Sequence, residues 1–435
     1  MIQQTSRKIG FWAVFALVTG SQIGSGVFML PASLAPYGFY GMLGWLISGC
    51  GAIALALVFA QLCAWFPQTG GPHVYAQHAF GKSVAFFTGW TYWVISWIST
   101  TVVIIASIGY LTPLIGSHSS FVNVGLEIAL LMIVTALNFR GVKAAGSTEF
   151  LLTLLKLVPL ALIPFLALFY FDSANFAVDS AISTLSLSHI LSRVTLLTLW
   201  GFIGVESATA PAGSVENPSK TIPRAIVAGT ACVALMYLVN SFAIMGIIPS
   251  AQLMGSSAPY ADATRVIFGG NWYLIISIIA SVICMGTLNA WILTSSQIAL
   301  GLAQDGLMPP LFMKKNRFDA PFWSLIISGI CIIPLLILTA NQSLASQVLT
   351  IIDFSVTSFL FVYALSCLAF FKILLQCKEA FSEKIGSLIY GTVALLFCCW
   401  VIYETPLNTI LIASLFTLSG ILPYLYFHSK RGMLS

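Results

Sequence analysis

The chain has 435 residues, of which 59% are hydrophobic and only 7% are charged. Average soluble domains are about 45–50% apolar and about 25% charged, so this composition excludes a soluble globular protein. The formal net charge of +5 comes from too few charged residues to form a nucleic-acid-binding surface, and we expect no nucleic-acid partner. No spacing of cysteine and histidine indicates a metal site, and we expect neither a metal nor a cofactor.

The apolar residues form long stretches that predict membrane-spanning helices. A helix needs about 20 mostly apolar residues to cross a bilayer. The chain offers about twelve such stretches with short connections, which predicts an all-α integral membrane protein with one transmembrane domain over residues 1–435. Predicted spans 1 to 12 lie near residues 11–35, 40–65, 84–112, 122–139, 149–171, 190–212, 223–248, 272–303, 322–340, 346–371, 385–403 and 407–427.

The basic residues predict the orientation of these spans, because Lys and Arg accumulate in cytoplasmic loops. Fifteen of the 18 Lys and Arg fall near the two ends of the chain and in alternate connections. The exceptions are Lys156 inside span 5 and Arg193 and Arg265 on the other side. An even number of spans returns the chain to its starting side, so both termini are expected in the cytoplasm. A cleaved signal peptide is disfavoured because the first apolar stretch is too long for one.

Span 1 contains Gly24-Ser25-Gly26 near its middle, preceded by Ser21 and Gln22. Glycine costs about 1 kcal/mol in a helix interior, so this segment is a weak point where backbone polar groups could be released. Unwound backbone at membrane depth is tolerated only where it is buried in protein or lines a cavity. Close packing of helices through small residues is the alternative, and both interpretations remain open.

Span 6 is interrupted in a similar way, by Gly201 and Gly204, and it also contains Glu206. A carboxylate near the middle of a membrane costs at least about 2.5 kcal/mol, so it normally faces a cavity or a partner. A structural salt bridge is one interpretation of Glu206. A substrate contact or a proton-linked group is the interpretation that we favour.

The interrupted spans are five apart, which predicts an internal repeat. An odd number of spans per repeat inverts the second copy, and glycine-broken helices at matching positions point to a transporter binding site. The repeats should cover approximately residues 8–171 and 190–371, with spans 11 and 12, approximately residues 385–427, added at the C-terminus. Amides freed by the broken helices could bind a substrate carboxylate, because helix N-termini carry unsatisfied donors.

Several aromatic residues lie on other spans. Trp291 lies well inside the polar-rich span 8, where its ring could hold a guanidinium or ammonium group by a cation–π interaction. Trp93 and Trp97 on span 3 are better explained as packing or interfacial residues.

Lys156 lies too centrally in span 5 to reach the membrane surface easily. It should pair with a carboxylate or with carbonyl groups, or lose its proton and take part in proton coupling. Structural replacement of a bound cation is the alternative, and neither interpretation is preferred.

Two segments, Gly24–Pro31 and Leu199–Ser207, resemble motifs of the amino acid–polyamine–organocation (APC) transporters, especially bacterial basic amino acid/polyamine antiporters such as the arginine–agmatine and putrescine–ornithine exchangers. Further similar segments are Gly70–Tyr75, Glu216–Pro218 and Asp305–Pro309, and the resemblance covers about residues 8–425. It implies a LeuT-like fold, in which a 5+5 inverted repeat has discontinuous helices 1 and 6.

The resemblance also implies roles for individual residues. Backbone around span 1 and span 6 would bind the substrate, two tryptophans would cover its side chain, and Ser355 would be a polar contact. The implied substrate contacts are Ser21, Gly24, Ser25, Gly26, Thr100, Trp200, Ile203, Gly204, Trp291 and Ser355. A gate on the cytoplasmic path would consist of Tyr92, Glu206 and Tyr363.

Two departures from the antiporter pattern affect the expected substrate. Ser21 and Thr100 replace amides of the arginine–agmatine exchangers, which weakens the case for arginine itself. Lys156 is absent from those exchangers and resembles a lysine of proton-coupled amino acid transporters in the same superfamily.

These observations favour a secondary transporter that exchanges a cationic amino acid for its decarboxylated amine by alternating access, with arginine and agmatine as the first expectation. A proton-coupled amino acid symporter is the alternative. An enzyme is not expected, since no catalytic constellation is present, and a channel would need a repeated filter motif. We expect a multi-pass protein of the bacterial inner membrane that contacts lipid and could form a homodimer.

Overall fold

The computed structural model describes residues 8–116, 119–256, 258–340, 344–377 and 381–432. Within these ranges the regular structure is helical, apart from two isolated β-bridges. Twelve helical segments of the described chain are long and apolar enough to cross a membrane. The prediction of an all-α membrane protein with twelve spans is confirmed.

Most spans are single helices, whereas span 1 consists of Phe11–Gln22 and Ser25–Leu34. The single helices are Tyr40–Trp65 (span 2), Lys82–Ile115 (span 3), Ser120–Asn138 (span 4), Gly141–Ala167 (span 5), Pro218–Ile247 (span 7), Trp272–Gln304 (span 8), Phe322–Thr339 (span 9), Leu344–Gln376 (span 10) and Phe381–Glu404 (span 11). Shorter helices in the connections are Pro72–Phe80, Ser180–Ser183, Ser250–Leu253 and Pro259–Phe268, with 3-10 turns at Ala35–Tyr37, Ser173–Phe176 and Pro310–Met313.

Span 6 departs further from a regular helix than the sequence predicts. Its α-helix, Leu187–Leu199, does not resume after the glycines. The chain continues in three 3-10 turns, Trp200–Phe202, Ser207–Thr209 and Ala212–Ser214. Gly204 has a φ of +103°, which a right-handed helix does not contain, so the helical hydrogen-bond ladder is lost there.

Two predicted boundaries are also corrected. Span 5 begins at Gly141 and not near residue 149, so its first two turns include polar residues, while Ala145 and Gly146 on its inner face are buried. Span 12 is interrupted and consists of the helices Leu407–Leu418 and Ile421–Gly432. A Cβ on the intervening Gly420 would lie 2.7 Å from the ring of Trp90, so close packing explains a glycine there.

Spans 1, 3 and 6 form the centre of the molecule, since at least 78% of their most apolar stretch is buried, against 11–28% for spans 4, 9, 11 and 12. Span 8 packs along span 3, and span 7 packs along span 2. The partners in each pair are five spans apart, which is consistent with an inverted 5+5 repeat. The boundaries of the two repeats stay a prediction.

Candidate functional site

A small cavity lies where the interruptions of spans 1 and 6 face spans 3 and 8. Its wall combines backbone from the two interrupted spans with polar and aromatic side chains. The lining residues are Ser21, Gln22, Gly24, Ser25, Gly26, Ser99, Val103, Trp200, Ile203, Thr287 and Trp291. Seven of the ten substrate contacts predicted from the sequence therefore lie around one cavity.

The end of the first helix of span 1 is held by side chains from three other spans. The last four carbonyl groups of a helix have no partner within it, and here these are the carbonyls of Gly20–Ile23. Lys156 Nζ donates to the first at 3.0 Å, Trp291 Nε1 to the second at 3.1 Å, the Tyr237 hydroxyl to the third at 2.7 Å and the Thr287 hydroxyl to the fourth at 2.7 Å. Hydrogen bonds from neighbouring spans therefore stabilise the interruption.

The two glycines of span 1 serve close packing as well as unwinding. A Cβ on Gly24 would lie 2.6 Å from Thr287 Oγ1, and one on Gly26 would lie 3.1 Å from the Tyr237 hydroxyl. Both interpretations that the sequence left open thus apply to the same segment.

The second helix of span 1 begins at Ser25, and its first residues line the cavity. No side chain caps this helix, since Gly24 stands at the N-cap position. The first N–H groups of a helix have no partner within it, and they form the positive end of its dipole. The backbone at Ser25 and Gly26 therefore offers donors to a carboxylate in the cavity.

Ser21 connects the two interrupted spans directly. Its hydroxyl lies 2.8 Å from Ser207 Oγ and 3.2 Å from the carbonyl oxygen of Gly204. A Cβ on Gly204 would lie 2.8 Å from Ser21 Oγ and 3.1 Å from the ring of Trp291. Only glycine fits this narrow space and also adopts a φ of +103° at position 204 without strain.

The two tryptophans of the cavity wall come from different spans. Trp200 stands at the first 3-10 turn of span 6, and its Cδ1 would be 3.4 Å from a Cβ on Gly26. The ring of Trp291 packs on Phe359 of span 10, with 5.5 Å between ring centroids. Phe359 was not predicted, although it lies one helical turn before Tyr363 on the same face of span 10.

The three residues of the predicted gate lie together beside Phe359. Tyr363 donates its hydroxyl hydrogen to Glu206 Oε2 at 2.6 Å and accepts the N–H of Gly204 at 3.3 Å. Tyr92 lies beside the same carboxylate, and its ring is 5.8 Å from that of Phe359. Two tyrosines therefore lie beside the carboxylate.

Glu206 is completely buried and forms no ion pair with any residue that the structure describes. Its Oε1 and the hydroxyl of Tyr92 have no hydrogen-bond partner in the described ranges. The structural salt bridge considered for Glu206 is therefore not formed within them. A buried carboxylate without a paired cation is suited to bind a cationic ligand or a proton.

Lys156 is completely buried and pairs with a carboxylate as well as a carbonyl group, as its central position predicts. Its Nζ lies 3.2 Å from Glu149 Oε1 and 3.4 Å from Thr287 Oγ1. Glu149 Oε2 accepts a hydrogen bond from Asn289 of span 8. Glu149 was not predicted, although it lies seven residues before Lys156, which places both on one face of span 5.

The comparisons with known proteins agree with this architecture. The family model described as amino acid permease matches residues 9–425. This chain belongs to the amino acid permease family. The resemblance to APC transporters is thereby confirmed, and the permease is a multi-pass membrane protein of a transporter family.

Individual relatives match most of the permease. The putrescine transporter PotE of Haemophilus influenzae is 30% identical over 417 residues, which cover 95% of this chain and 96% of the relative. PotE of Escherichia coli K12 is 30% identical over 421 residues, covering 97% and 96%. The cadaverine/lysine antiporter of Escherichia coli K12 is 30% identical over 336 residues, covering 77% and 75%. This chain is thus similar to amine transporters along most of its length.

Three predicted contacts, Thr100, Gly204 and Ser355, do not line the cavity of the permease, although Gly204 packs against Ser21 and Trp291 of its wall. Thr100 donates its hydroxyl hydrogen to the carbonyl of Ser96 in its own helix, at 2.6 Å. Ser99 lines the cavity in its place, because neighbouring residues on a helix point about 100° apart. Ser355 is buried outside the lining, and its hydroxyl has no partner within the described chain.

Two polar residues that were not predicted as contacts face the cavity with unused hydrogen-bonding capacity. Gln22 Oε1 and Ser99 Oγ are buried and have no hydrogen-bond partner in the described structure. An unpaired polar atom costs free energy in an apolar interior, so both are suited to contact a polar ligand.

At the face with most of the basic loops, backbone hydrogen bonds tie the ends of several spans together. Ile9 donates its N–H to Ser214 O at 3.0 Å and accepts from Glu216 N–H at 2.9 Å. Gly70 N–H donates to Ala210 O at 3.0 Å. The ends of spans 1, 2 and 6 are therefore joined at this face.

Proposed function

We propose that this permease is a secondary transporter that exchanges a cationic amino acid for its decarboxylated amine by alternating access. The observation that carries this proposal is the cavity between the interrupted spans, which combines free helix amides, two tryptophans and a nearby carboxylate without an ion pair in the described ranges. We place the protein in the bacterial inner membrane with both termini in the cytoplasm, since its basic residues lie mostly on that side.

The chemistry of the cavity suits both members of such a pair. An amino acid carboxylate would accept hydrogen bonds from the backbone amides at Ser25 and Gly26. The cationic end of the side chain would contact the faces of Trp200 and Trp291. A decarboxylated amine keeps the cationic end and loses only the amide contacts, so both molecules can use the same cavity in turn.

The identity of the pair is the finer part of the proposal. The resemblance favours arginine and agmatine, whereas the relatives are a putrescine transporter and a cadaverine/lysine antiporter. The hydroxyl of Ser21 is bonded to span 6 and that of Thr100 to its own helix, so neither offers a substrate the free donor that an amide in its place would offer. We therefore expect ornithine–putrescine or lysine–cadaverine exchange to be at least as fast as arginine–agmatine exchange.

Exchange can be tested with the purified permease in liposomes. Vesicles preloaded with unlabelled putrescine, cadaverine, agmatine or buffer alone are supplied with labelled ornithine, lysine or arginine. The proposal predicts rapid uptake only when a cationic amine or amino acid is inside. Equal uptake into preloaded and empty vesicles would contradict exchange.

A proton-coupled symporter is the second candidate, and the buried Lys156–Glu149 pair favours it. A lysine that releases its proton during transport could link the return of the empty carrier to the proton gradient. An inward proton gradient should then drive net uptake into empty vesicles, and Lys156→Met should abolish that uptake. An exchanger should show no gradient-driven net uptake at all.

A further inference from the structure

A second cavity, larger than the central one, lies between spans 3, 4 and 9. It is formed near the end of span 3 that is remote from Lys82, and therefore lies towards the face opposite to most of the basic loops. Span 3 separates it from the central cavity, because Val103 lines the central cavity while Ile105 and Ile108 line the second. The two cavities are therefore distinct.

The charged residue of this second cavity is Glu127 of span 4. Its side chain lines the cavity, and the residue is only 8% exposed. Glu127 lies seven residues beyond the first residue of its helix, Ser120, which is about 10 Å along the helix axis. Over the residues that the structure describes, Glu127 has neither an ion pair nor a hydrogen bond. Its carboxylate faces the cavity without a protein counter-ion, so it is available to a cation that enters.

The other lining groups indicate which cation fits. Asn123 lies one helical turn before Glu127, and Thr112 and Ser120 add hydroxyl groups. An ammonium group has three donors and no acceptor, so it can use a carboxylate together with amide and hydroxyl oxygens. Ile105 and its neighbours supply an apolar wall for an alkyl chain.

A divalent metal ion fits the same cavity less well. Among the described residues no group of three or more His, Cys, Asp or Glu could hold a metal ion. Hard cations such as Ca²⁺ and Mg²⁺ take six or more oxygen ligands, often including several carboxylates, whereas this cavity offers one carboxylate. An organic ammonium compound therefore matches the wall better.

We propose that this cavity binds the primary ammonium group of an aliphatic amine, with the Glu127 carboxylate as its counter-ion. The ammonium group can come from a dissolved amine or from the headgroup of phosphatidylethanolamine. The site is separate from the exchange cavity, so this proposal does not depend on the proposed exchange.

The test uses the full-length permease in nanodiscs of pure phosphatidylglycerol, with n-butylammonium as the probe. Dicyclohexylcarbodiimide modifies carboxyl groups in apolar surroundings, and peptide mass spectrometry measures its reaction at Glu127 separately from that at Glu206. A probe concentration of ten times its Kd should slow modification of Glu127 about tenfold, since about a tenth of the sites stay free. The uncharged n-butanol should give no protection.

Variants identify the groups that contact the probe. Asn123→Ala should weaken protection by about two- to tenfold, the usual worth of one hydrogen bond. The matched control Val124→Ala truncates a neighbouring lining residue without removing a polar group, and it should leave the Kd unchanged. Trp291→Ala in the central cavity should also leave the protection of Glu127 unchanged.

The lipid source is tested by adding phosphatidylethanolamine to the nanodiscs. Protection of Glu127 without the probe would identify the lipid headgroup as the occupant, whereas protection by the probe alone would identify a dissolved amine. A modification rate that neither n-butylammonium nor phosphatidylethanolamine changes would overturn the proposal. Complete absence of modification would overturn it too, because the carboxylate would then be inaccessible from the cavity.

Discussion

The buried ion pair of Lys156 and Glu149 provides a quantitative test of the structure. Both side chains have no exposed surface, and 3.2 Å separates Nζ from Oε1. Removal of one partner of a buried pair typically costs about 3–5 kcal/mol, because the other charge stays buried without compensation. Lys156→Met should therefore destabilise the protein by about this amount, and Glu149→Gln should do so as well.

The double variant should be less damaged than the sum of the two single variants. With both charges removed, no uncompensated charge remains, and the amide oxygen introduced by Glu149→Gln can still accept the hydrogen bond from Asn289. We expect a coupling free energy of about 2–3 kcal/mol between the two positions. The remaining loss arises mainly at the carbonyl of Gly20, which loses its donor in Lys156→Met.

Thermal unfolding of the detergent-purified variants, followed with a thiol-reactive fluorophore, measures this order of stability. Lys315→Met is the matched control, because Lys315 pairs with Asp319 at 3.0 Å while both side chains are at least 36% exposed. That exposed pair should contribute no more than about 1 kcal/mol. Equal melting temperatures for Lys156→Met and the wild type would refute the assignment of a charged buried pair.

Three further changes test the central cavity. Trp291→Ala should weaken binding of a cationic substrate by about 1–3 kcal/mol, and Trp291→Phe should weaken it less, although phenylalanine also loses the hydrogen bond to Ser21 O. Calorimetric titration measures the affinity of both variants. An unchanged affinity would mean that Trp291 has only a structural role. Glu206→Gln should keep the fold but change the rate of exchange or its dependence on pH between about 5 and 8, because Tyr363 then donates to a neutral group. Exchange at the wild-type rate at every pH would mean that Glu206 has only a structural role. Gly204→Ala should cost about 1–3 kcal/mol in stability, because alanine is strained at a φ of +103° and its Cβ would lie 2.8 Å from Ser21 Oγ. Gly255→Ala is the comparison, since its φ is not positive and its Cβ would meet only Gln252 O at 3.8 Å. Equal melting temperatures for the two variants would contradict the requirement for glycine at position 204.

The sequence predicts the spans and their interruptions well because both signals are local. Long apolar stretches report a membrane span wherever they occur, and a glycine pair inside such a stretch reports a weak helix. The interruptions at Gly24 and Gly204 could be placed for this reason. The sequence does not predict the full extent of the irregular part of span 6, because the loss of α-helix after Leu199 depends on several turns in succession.

The contacts between spans are less accessible from the sequence. Tyr237 and Thr287 support the interruption of span 1 only because spans 7 and 8 pack against it in one rotation. The rotation of span 3 likewise decides that Ser99 and not Thr100 lines the cavity. The sequence does not reveal this, because apolar and small polar residues surround both positions. Glu149 escaped notice because the predicted start of span 5 near residue 149 placed it at the membrane edge, whereas the helix begins at Gly141.

The hydrogen bonds at the end of the first helix connect the two functional hypotheses. Lys156 donates to the carbonyl of Gly20, and Trp291 donates to the carbonyl of the next residue, Ser21. A change in the protonation of Lys156 and a ligand contact at Trp291, if the proposed roles hold, would therefore act on adjacent peptide groups. Coupling of a proton to substrate would need no long pathway through the protein, because both sites bias the same short segment. If Lys156 keeps its proton throughout, the same four hydrogen bonds only hold the interruption of span 1 open, and exchange is then the function that this arrangement serves.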